Sequence, residues 1–244
     1  YKIVLCDHIS IHENYNAGLF AKDARKLLEE EYSIRSYGFL CGGTGLYIKA
    51  LTEGLDAFPD VDPVLVKKWD DRYRMEGIGV LQDALRKKDP EYAEKAEMKN
   101  PHRLIRALSV MDQSGLPFSY FLNKSKTKLA ADLIYVVLDM DRQALYKKIN
   151  DRVDRMFEDG LVEEARSLYQ HKSLKALQTV GYQELFDYFD GFITLDEARE
   201  KIKTHTRQYA KRQLTWLRKY APGPRFHQKH KQVVLEYVRS QLDL

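Results

Sequence analysis

Three observations predict an α/β protein with a parallel sheet and a helical insertion. A helical pattern at residues 17–31 precedes a short apolar run at 38–41, which ends at glycines, and a second helical pattern follows at 46–51. Helix, strand, glycine turn and helix in this order are typical of parallel α/β sheets. Residues 60–125 show helical patterns and no convincing strand. The β-branched and apolar run at 131–140 then predicts another buried strand of the same sheet.

The insertion is predicted from its helix start signals. Asp62 with Pro63 marks a boundary, and helical patterns follow at 65–74, 79–88, 90–98 and 101–111. The rest of the chain after the second predicted strand is expected to be helical, and the Pro- and Gly-rich residues 221–224 end its last long helix. We therefore assign residues 1–59 and 126–244 to an α/β core with C-terminal helices, and residues 60–125 to a helical insertion.

The composition is that of an ordinary globular protein. Of its 244 residues 44% are hydrophobic and 31% are charged, and the net charge of +4 is too modest to prove nucleic-acid binding. Cys6 and Cys41 lie in apolar, strand-like runs, where free thiols commonly pack as small hydrophobic groups. No disulfide, metal site, leader or membrane span of roughly 18 apolar residues is predicted. We therefore expect a reducing, cytoplasmic location without membrane contact.

Positive charge is concentrated in the last third of the chain. Residues 199–219 hold eight Lys or Arg and one acid, Glu200, without the alternating signs that form ion pairs along a helix. Four of the cations share one helical face: Lys203, Arg207, Lys211 and Arg218. Three apolar residues can face a core: Ile202, Tyr209 and Leu217. This pattern indicates an anionic partner outside the helix, although a face that is merely solvated would show the same residues.

The run Gly42, Gly43, Thr44, Gly45 connects the first predicted strand to a helix. The missing side chains let backbone N–H groups approach a ligand, and Thr44 adds a hydroxyl at a helix start whose dipole favours negative charge. A phosphate or a base edge would suit this loop. Glycines that serve only the geometry of the turn would look the same, and because no Lys follows, the run is not a Walker A loop.

A predicted helix at 146–159 carries a cation away from its apolar stripe. The stripe consists of Leu145, Ile149, Val153 and Met156. Arg152 faces elsewhere, beside Asp151 and Asp154. An arginine among carboxylates forms either structural ion pairs or a ligand contact, and the residues alone leave both open.

A further group of cations follows a strong helix start. Asn100 is a favourable N-cap, and Pro101 suits the first helical position. His102, Arg103 and Arg106 come next, in the first two turns, where cations oppose the helix dipole. That small electrostatic cost favours a phosphate partner over a merely solvated face.

Five segments in this order resemble the tRNA dimethylallyltransferase family, also called tRNA isopentenyltransferase. They are GGTGLY at 42–47, NPHRLIRAL at 100–108, RVDRM at 152–156 with GLVEEA at 160–165, QTVGYQE at 178–184, and TRQYAKRQLTWLR at 206–218. The resemblance covers nearly the whole chain. The family begins with a P-loop and a segment with the Asp taken as general base, and Tyr1 lines up beyond both. We therefore expect an N-terminal segment to be missing from this chain.

The resemblance implies prenyl transfer on a P-loop-NTPase-like parallel sheet core with a helical insertion domain and a helical C-terminal part. The N6 amine of adenosine 37, which is 3′ of the anticodon in tRNA, would attack C1 of dimethylallyl diphosphate. Mg²⁺, bound with the diphosphate through the N-terminal segment, would help diphosphate to leave, and the P-loop implies nucleotide (ATP) binding.

Residue roles follow from the same resemblance. Arg152 would bind the diphosphate, and Thr44 would lie beside the substrate adenosine, which makes these two the catalytic candidates. The family position that often holds an Arg near the tRNA is Val66 here, with Lys67 adjacent. The expected contacts with the tRNA anticodon stem-loop are Thr44, Lys67, His102, Arg103, Leu104, Ile105, Arg106, Gln178, Thr179, Val180, Gly181, Tyr182, Gln183, Arg207, Lys211 and Arg212.

Two other classes remain as alternatives: a P-loop kinase-like phosphoryl transferase, and a non-catalytic RNA-binding fragment. A related enzyme that prenylates free adenine nucleotides is disfavoured, because a small substrate needs neither the insertion nor the concentrated positive charge. We expect a monomer. Without the P-loop and the general base, residues 1–244 are expected to bind tRNA weakly and to transfer nothing.

Overall fold

The computed structural model describes residues 5–32, 34, 36–122, 124 and 127–242. Its contacts divide the chain into two compact units, residues 1–48 with 130–244 and residues 49–129. The helices, in chain order, are α1 Ala17–Tyr32, α2 Gly45–Thr52, α3 Pro63–Glu76, α4 Ile78–Lys88, α5 Pro90–Lys95, α6 Pro101–Ser114, α7 Arg142–Glu158, α8 Leu161–Leu168, α9 Tyr182–Phe189, α10 Leu195–Tyr220 and α11 Lys231–Gln241. The strands are β1 Val137–Asp139 and β2 Arg225–His227.

The unit of residues 49–129 is helical, and its helix starts are those that the sequence predicts. Asp62, Asp89 and Asn100 each accept a hydrogen bond from a backbone N–H of the helix that follows, and each precedes a proline. Helices α3, α4 and α6 pack around a core whose main members are Trp69, Leu81, Leu85, Leu104 and Leu108, all at most 3% exposed. Proline and cap together stabilise each start, because the proline needs no hydrogen-bond partner for its nitrogen.

Asp112 connects three helices of this unit. From α6 it accepts hydrogen bonds from Lys68 and the Trp69 indole of α3, both at 3.0 Å, and from Lys88 of α4. Burial raises the pKa of Asp112, but the hydrogen bonds from Lys88, Lys68 and Trp69 outweigh burial and hold this pKa below its usual value. The carboxylate therefore stays charged and stabilises the helix packing.

The other unit is built around α7, α8, α9 and α10. Its core includes Val153, Leu161, Leu177, Leu185 and Ile202, each at most 7% exposed. The apolar stripe predicted on α7 is confirmed, with Ile149 and Val153 buried. The 26-residue helix α10 begins at a capping box in which Thr194 and Glu197 satisfy each other's backbone N–H groups. It ends at Tyr220, before residues 221–224, as the sequence predicts.

The sheet is smaller than the sequence predicts. Strand β1 pairs in parallel with β2, with Val137 opposite Arg225 and Asp139 opposite His227. The strand predicted at 38–41 is wrong: these residues form no ladder, and Phe39 is 92% exposed. The strand predicted at 131–140 is reduced to three residues, of which Val137 is buried, whereas β2 lies where the sequence predicts only helix.

Cys6 and Cys41 are free thiols, and both are exposed. The expectation that they pack as small hydrophobic groups is therefore wrong, because the strand-like runs that were to bury them do not form a sheet in the described residues. Across the part of the chain that the structure describes, no helix is long and apolar enough to span a bilayer.

Candidate nucleic-acid interface and active-site residues

The inner face of α10 spends two of its cations on the protein itself. Lys203 is 13% exposed and forms ion pairs with Asp154 of α7 at 2.8 Å and with Glu200 at 3.0 Å. The guanidinium of Arg207 donates to Asn150 of α7 at 2.7 Å and to Thr204 at 2.9 Å. The prediction that the whole basic face seeks a partner outside the helix is therefore wrong for these two side chains, because α7 supplies their partners.

The outer face of α10 carries cations that the protein does not neutralise. In the part of the chain that the structure describes, the side chains of Lys211 and Arg218 have no hydrogen-bond or ion-pair partner. Arg212 lies over the ring of Tyr209, which is 42% exposed, so the expectation that Tyr209 faces a core is wrong. An open groove of about 550 Å³ runs along this face, lined by Gln208, Lys211, Arg212, Thr215, Trp216, Lys219 and Tyr220. Cations beside aromatic rings suit the backbone and bases of single-stranded RNA.

The glycine run at 42–45 lies against α10. Gln213 of α10 donates to the carbonyl oxygen of Gly43 at 3.1 Å. A Cβ at Gly43 would overlap the Gln213 amide and one at Gly45 would overlap the Trp216 ring, whereas Gly42 faces open space. Two of the three glycines therefore make room for α10, and only Gly42 leaves room for something else.

Thr44 occupies the start of α2. Its carbonyl oxygen accepts the N–H groups of Tyr47 and Ile48, at 2.9 and 3.2 Å, which is the backbone pattern of an N-cap residue. The residue is exposed. Its hydroxyl therefore lies at the positive end of a helix dipole and is accessible to a ligand.

Arg152 lies on a solvent-facing part of α7. It is exposed, and within the described residues its guanidinium has no hydrogen-bond or ion-pair partner. Its neighbour Asp154 pairs with Lys203 instead. One turn earlier on the same face, Lys148 donates to Gln228, directly after β2, at 2.8 Å. Arg152 therefore shares a face with a residue at the carboxyl ends of the two parallel strands, where open α/β sheets bind ligands.

The loop at 178–183 is held by its own side chains. Gln183 donates to the side chain of Gln178 at 2.8 Å, and Gln178 donates to the carbonyl oxygen of Lys172 at 2.6 Å. Tyr182 donates to Glu164 at 2.5 Å, and burial together with this bond raises the pKa of Tyr182 to about 12. Gln178, Thr179 and Gln183 are exposed, so the loop is ordered and still offers polar groups to a partner.

Sequence reasoning missed the anchor of this loop. Glu184 is buried and accepts the N–H of Gly181 at 2.8 Å, and its other oxygen lies 2.5 Å from Nδ1 of His205 on α10. A glutamate three residues after a glycine at a helix start is a capping signal and could have indicated Glu184. Nothing in the local sequence indicates His205, because it lies on another helix.

The start of α6 and the start of α3 carry the remaining predicted RNA contacts. His102, Arg103 and Arg106 are exposed, whereas Leu104 and Ile105 are 0% and 5% exposed and belong to the helical core. Any RNA contact by side chains here must come from the three cationic positions. Arg103 pairs with Glu97 at 3.2 Å and Lys67 with Asp71 at 2.5 Å, both on the surface, where ion pairs are weak and exchangeable.

The described residues do not by themselves form a magnesium site. Among them no group of three or more His, Cys, Asp or Glu side chains is placed to hold a metal ion. Mg²⁺ in phosphate-binding sites is commonly held by one or two carboxylates and the phosphates of the substrate. The steps below therefore use only the side chains of this chain.

Comparisons with known proteins agree on one family. Residues 1–220 match the family model described as IPP transferase. The tRNA dimethylallyltransferase of Christiangramia forsetii is 46% identical over 237 residues, which are 97% of this chain and 78% of that protein. The same enzyme of Flavobacterium johnsoniae is 44% identical over 216 residues, 86% of this chain and 70% of the relative.

Solved structures give the same result. The full-length tRNA isopentenylpyrophosphate transferase of Bacillus halodurans superposes with a TM-score of 0.66 and 32% identity, over 98% of this chain and 78% of that one. A eukaryotic dimethylallyltransferase that acts on tRNA superposes with a TM-score of 0.69 and 26% identity, over 86% of this chain and 54% of that one. With matches over nearly its whole length, the chain belongs to the IPP transferase family.

Proposed function

We propose that this protein transfers the dimethylallyl group of dimethylallyl diphosphate to N6 of adenosine 37 in tRNA, next to the anticodon on its 3′ side. The observation that carries the proposal is the match of residues 1–220 to the family, in a chain whose Arg152 is exposed and has no internal partner among the described residues. The relatives named above are tRNA dimethylallyl- or isopentenyltransferases. Neither a kinase nor a non-catalytic RNA-binding fragment is favoured.

In the proposed reaction a bond forms between N6 and C1 of the dimethylallyl group, and the bond between C1 and the diphosphate oxygen breaks. The amine loses a proton, and the electron pair of the broken bond leaves with the diphosphate. Arg152 would bind the diphosphate and neutralise the charge that develops on it. A guanidinium suits this role because it stays charged and donates two parallel hydrogen bonds to phosphate oxygens.

Thr44 would position the adenosine. Its exposed hydroxyl can donate to or accept from a base edge, and it lies at the start of α2 in a loop that Gln213 and Trp216 hold against α10. A hydroxyl carried by a clamped loop is oriented before the substrate arrives, which reduces the entropy lost on binding.

The tRNA would be held by the exposed cations of α10 and by the polar loop at 178–183. Adenosine 37 lies in a single-stranded loop, and its N6 amine becomes accessible once the base is turned out of the stack. Lys211 and Arg212 would contact the phosphate backbone near the groove. The cations at the start of α6, on the other unit, would contribute further phosphate contacts.

The proposal also includes the finer predictions of fold and location. The parallel pairing of β1 with β2, with helices following both strands, supports a P-loop-like core. A monomer in the cytoplasm would meet both tRNA and dimethylallyl diphosphate there.

The decisive experiment is a transfer assay with the full-length protein and radiolabelled dimethylallyl diphosphate. Label should enter unmodified tRNA with adenosine 37 and should not enter the same tRNA with guanosine 37. Free AMP serves as the small-substrate control, and labelled ATP tests for phosphoryl transfer. Label in AMP but not in tRNA, or phosphate transfer from ATP without prenylation, would contradict the proposal.

A further inference from the structure

A buried carboxylate connects the loop at 178–183 to the basic helix α10. The side chain of Glu184 is 4% exposed. One oxygen accepts the Gly181 N–H at 2.8 Å, and the other lies 2.5 Å from Nδ1 of His205. A buried carboxylate is strongly unfavourable unless it is hydrogen-bonded, so both contacts are needed to keep it there.

The contact with Gly181 fixes the turn of the loop. Gly181 has φ +107° and ψ −57°, a backbone conformation that side chains rarely allow. Its N–H is therefore oriented by the strained turn and held by Glu184. Because Gln178 and Gln183 bond to each other across the loop, the exposed Thr179 between them is carried on a rigid frame.

The contact with His205 fixes the same turn relative to α10. His205 precedes Arg207 by two residues and Lys211 by six on one continuous helix, so its position sets that of the outer cations. Its side chain is 43% exposed, so it contributes little to the apolar core. Its main structural role is thus its bond to Glu184.

We propose that Glu184 and His205 are positioning residues for tRNA: they hold the loop at 178–183 and the outer cations of α10 in one fixed arrangement that matches the RNA. The inference rests on the proposed function. An apolar pair would pack this interior at least as stably, since buried ionic groups seldom add net stability. A carboxylate that reaches a loop N–H on one side and an imidazole on the other instead specifies geometry.

The test uses His205→Ala in the full-length protein, since this exposed side chain can be removed without opening the core. We expect the KM for tRNA to rise about tenfold, the ratio expected for the loss of one charge-assisted hydrogen bond. The kcat and the KM for dimethylallyl diphosphate should stay within about twofold, because uniform binding of tRNA is all that is lost. His205→Gln, whose amide can donate to Glu184, should restore most of the tRNA affinity. Lys201→Ala, exposed one turn earlier on α10, is the matched control.

A second readout does not depend on activity. In the free protein, hydrogen exchange at the Gly181 amide should accelerate in His205→Ala and not in Lys201→Ala. An unchanged KM for tRNA in folded His205→Ala, or a His205→Gln variant no better than alanine, would show a packing contact only and overturn the inference. A wild-type protein that prenylates no tRNA would instead refute the proposed function, while tRNA binding and Gly181 exchange would still decide whether the pair positions the loop.

Discussion

Replacing Lys211 and Arg212 by alanine should flatten the salt dependence of tRNA binding. Both side chains are exposed on α10, and neither forms an ion pair within the described residues. Each phosphate contact releases counterions, so each lost contact lowers the slope of log K against log salt by about 0.7 for single-stranded and 0.9 for duplex nucleic acid. Two lost contacts should therefore narrow the difference in affinity between wild type and variant about tenfold between roughly 50 and 200 mM salt.

The matched control is Lys203→Met on the same helix. Lys203 is 13% exposed and paired with Asp154 and Glu200, so it has no charge to spare for RNA. This variant should lose some stability and keep the wild-type salt slope. Filter binding or fluorescence titration of tRNA at four salt concentrations measures both slopes.

Two results would refute the reasoning. An unchanged slope in the Lys211 and Arg212 double variant would remove these side chains from the RNA interface. An equal flattening in Lys203→Met would mean that net charge alone, and not the outer face of α10, determines binding.

Three other changes test the active-site face, the glycine loop and the helical unit. Arg152→Ala should lower kcat/KM for dimethylallyl diphosphate by about 2–4 kcal/mol in transition-state terms and leave the Kd for tRNA unchanged; unchanged kinetics would assign Arg152 a structural role. Gly45→Ala should cost about 1–3 kcal/mol of unfolding free energy because its Cβ meets the Trp216 ring, and adding Trp216→Leu should recover part of it in urea denaturation. Asp112→Ala should cost about 2–3 kcal/mol, mainly because the buried Trp69 N–H loses its acceptor. Since the pKa of Asp112 is lowered in the folded state, its contribution should be complete above its unfolded pKa of about 3.9 and be lost as the pH falls through the lower folded value; urea midpoints of wild type and Asp112→Ala that stay equally far apart down to pH 2 would contradict this.

Local sequence determined the helices of this protein. Asp62 with Pro63 and Asn100 with Pro101 begin α3 and α6 at the predicted positions, since a cap and a proline act within a few residues of each other. The apolar stripe of α7 is likewise a property of spacing along one helix, and the core buries Ile149 and Val153 as expected.

Strands were less predictable because a strand exists only when another strand pairs with it. Residues 38–41 have a strand-like composition and no partner among the described residues, whereas Arg225–His227 has an unremarkable composition and pairs with β1. Pairing depends on where distant segments meet, which composition does not encode locally.

The basic helix shows the same division for the candidate site. The sequence by itself determined that α10 is long, begins at Thr194 and carries an excess of positive charge. Only the tertiary structure decided that Lys203 faces Asp154, that His205 meets Glu184 and that Lys211 stays exposed. Helical periodicity places residues on a face, but whether a face meets solvent or another helix depends on how elements far apart in the chain pack together.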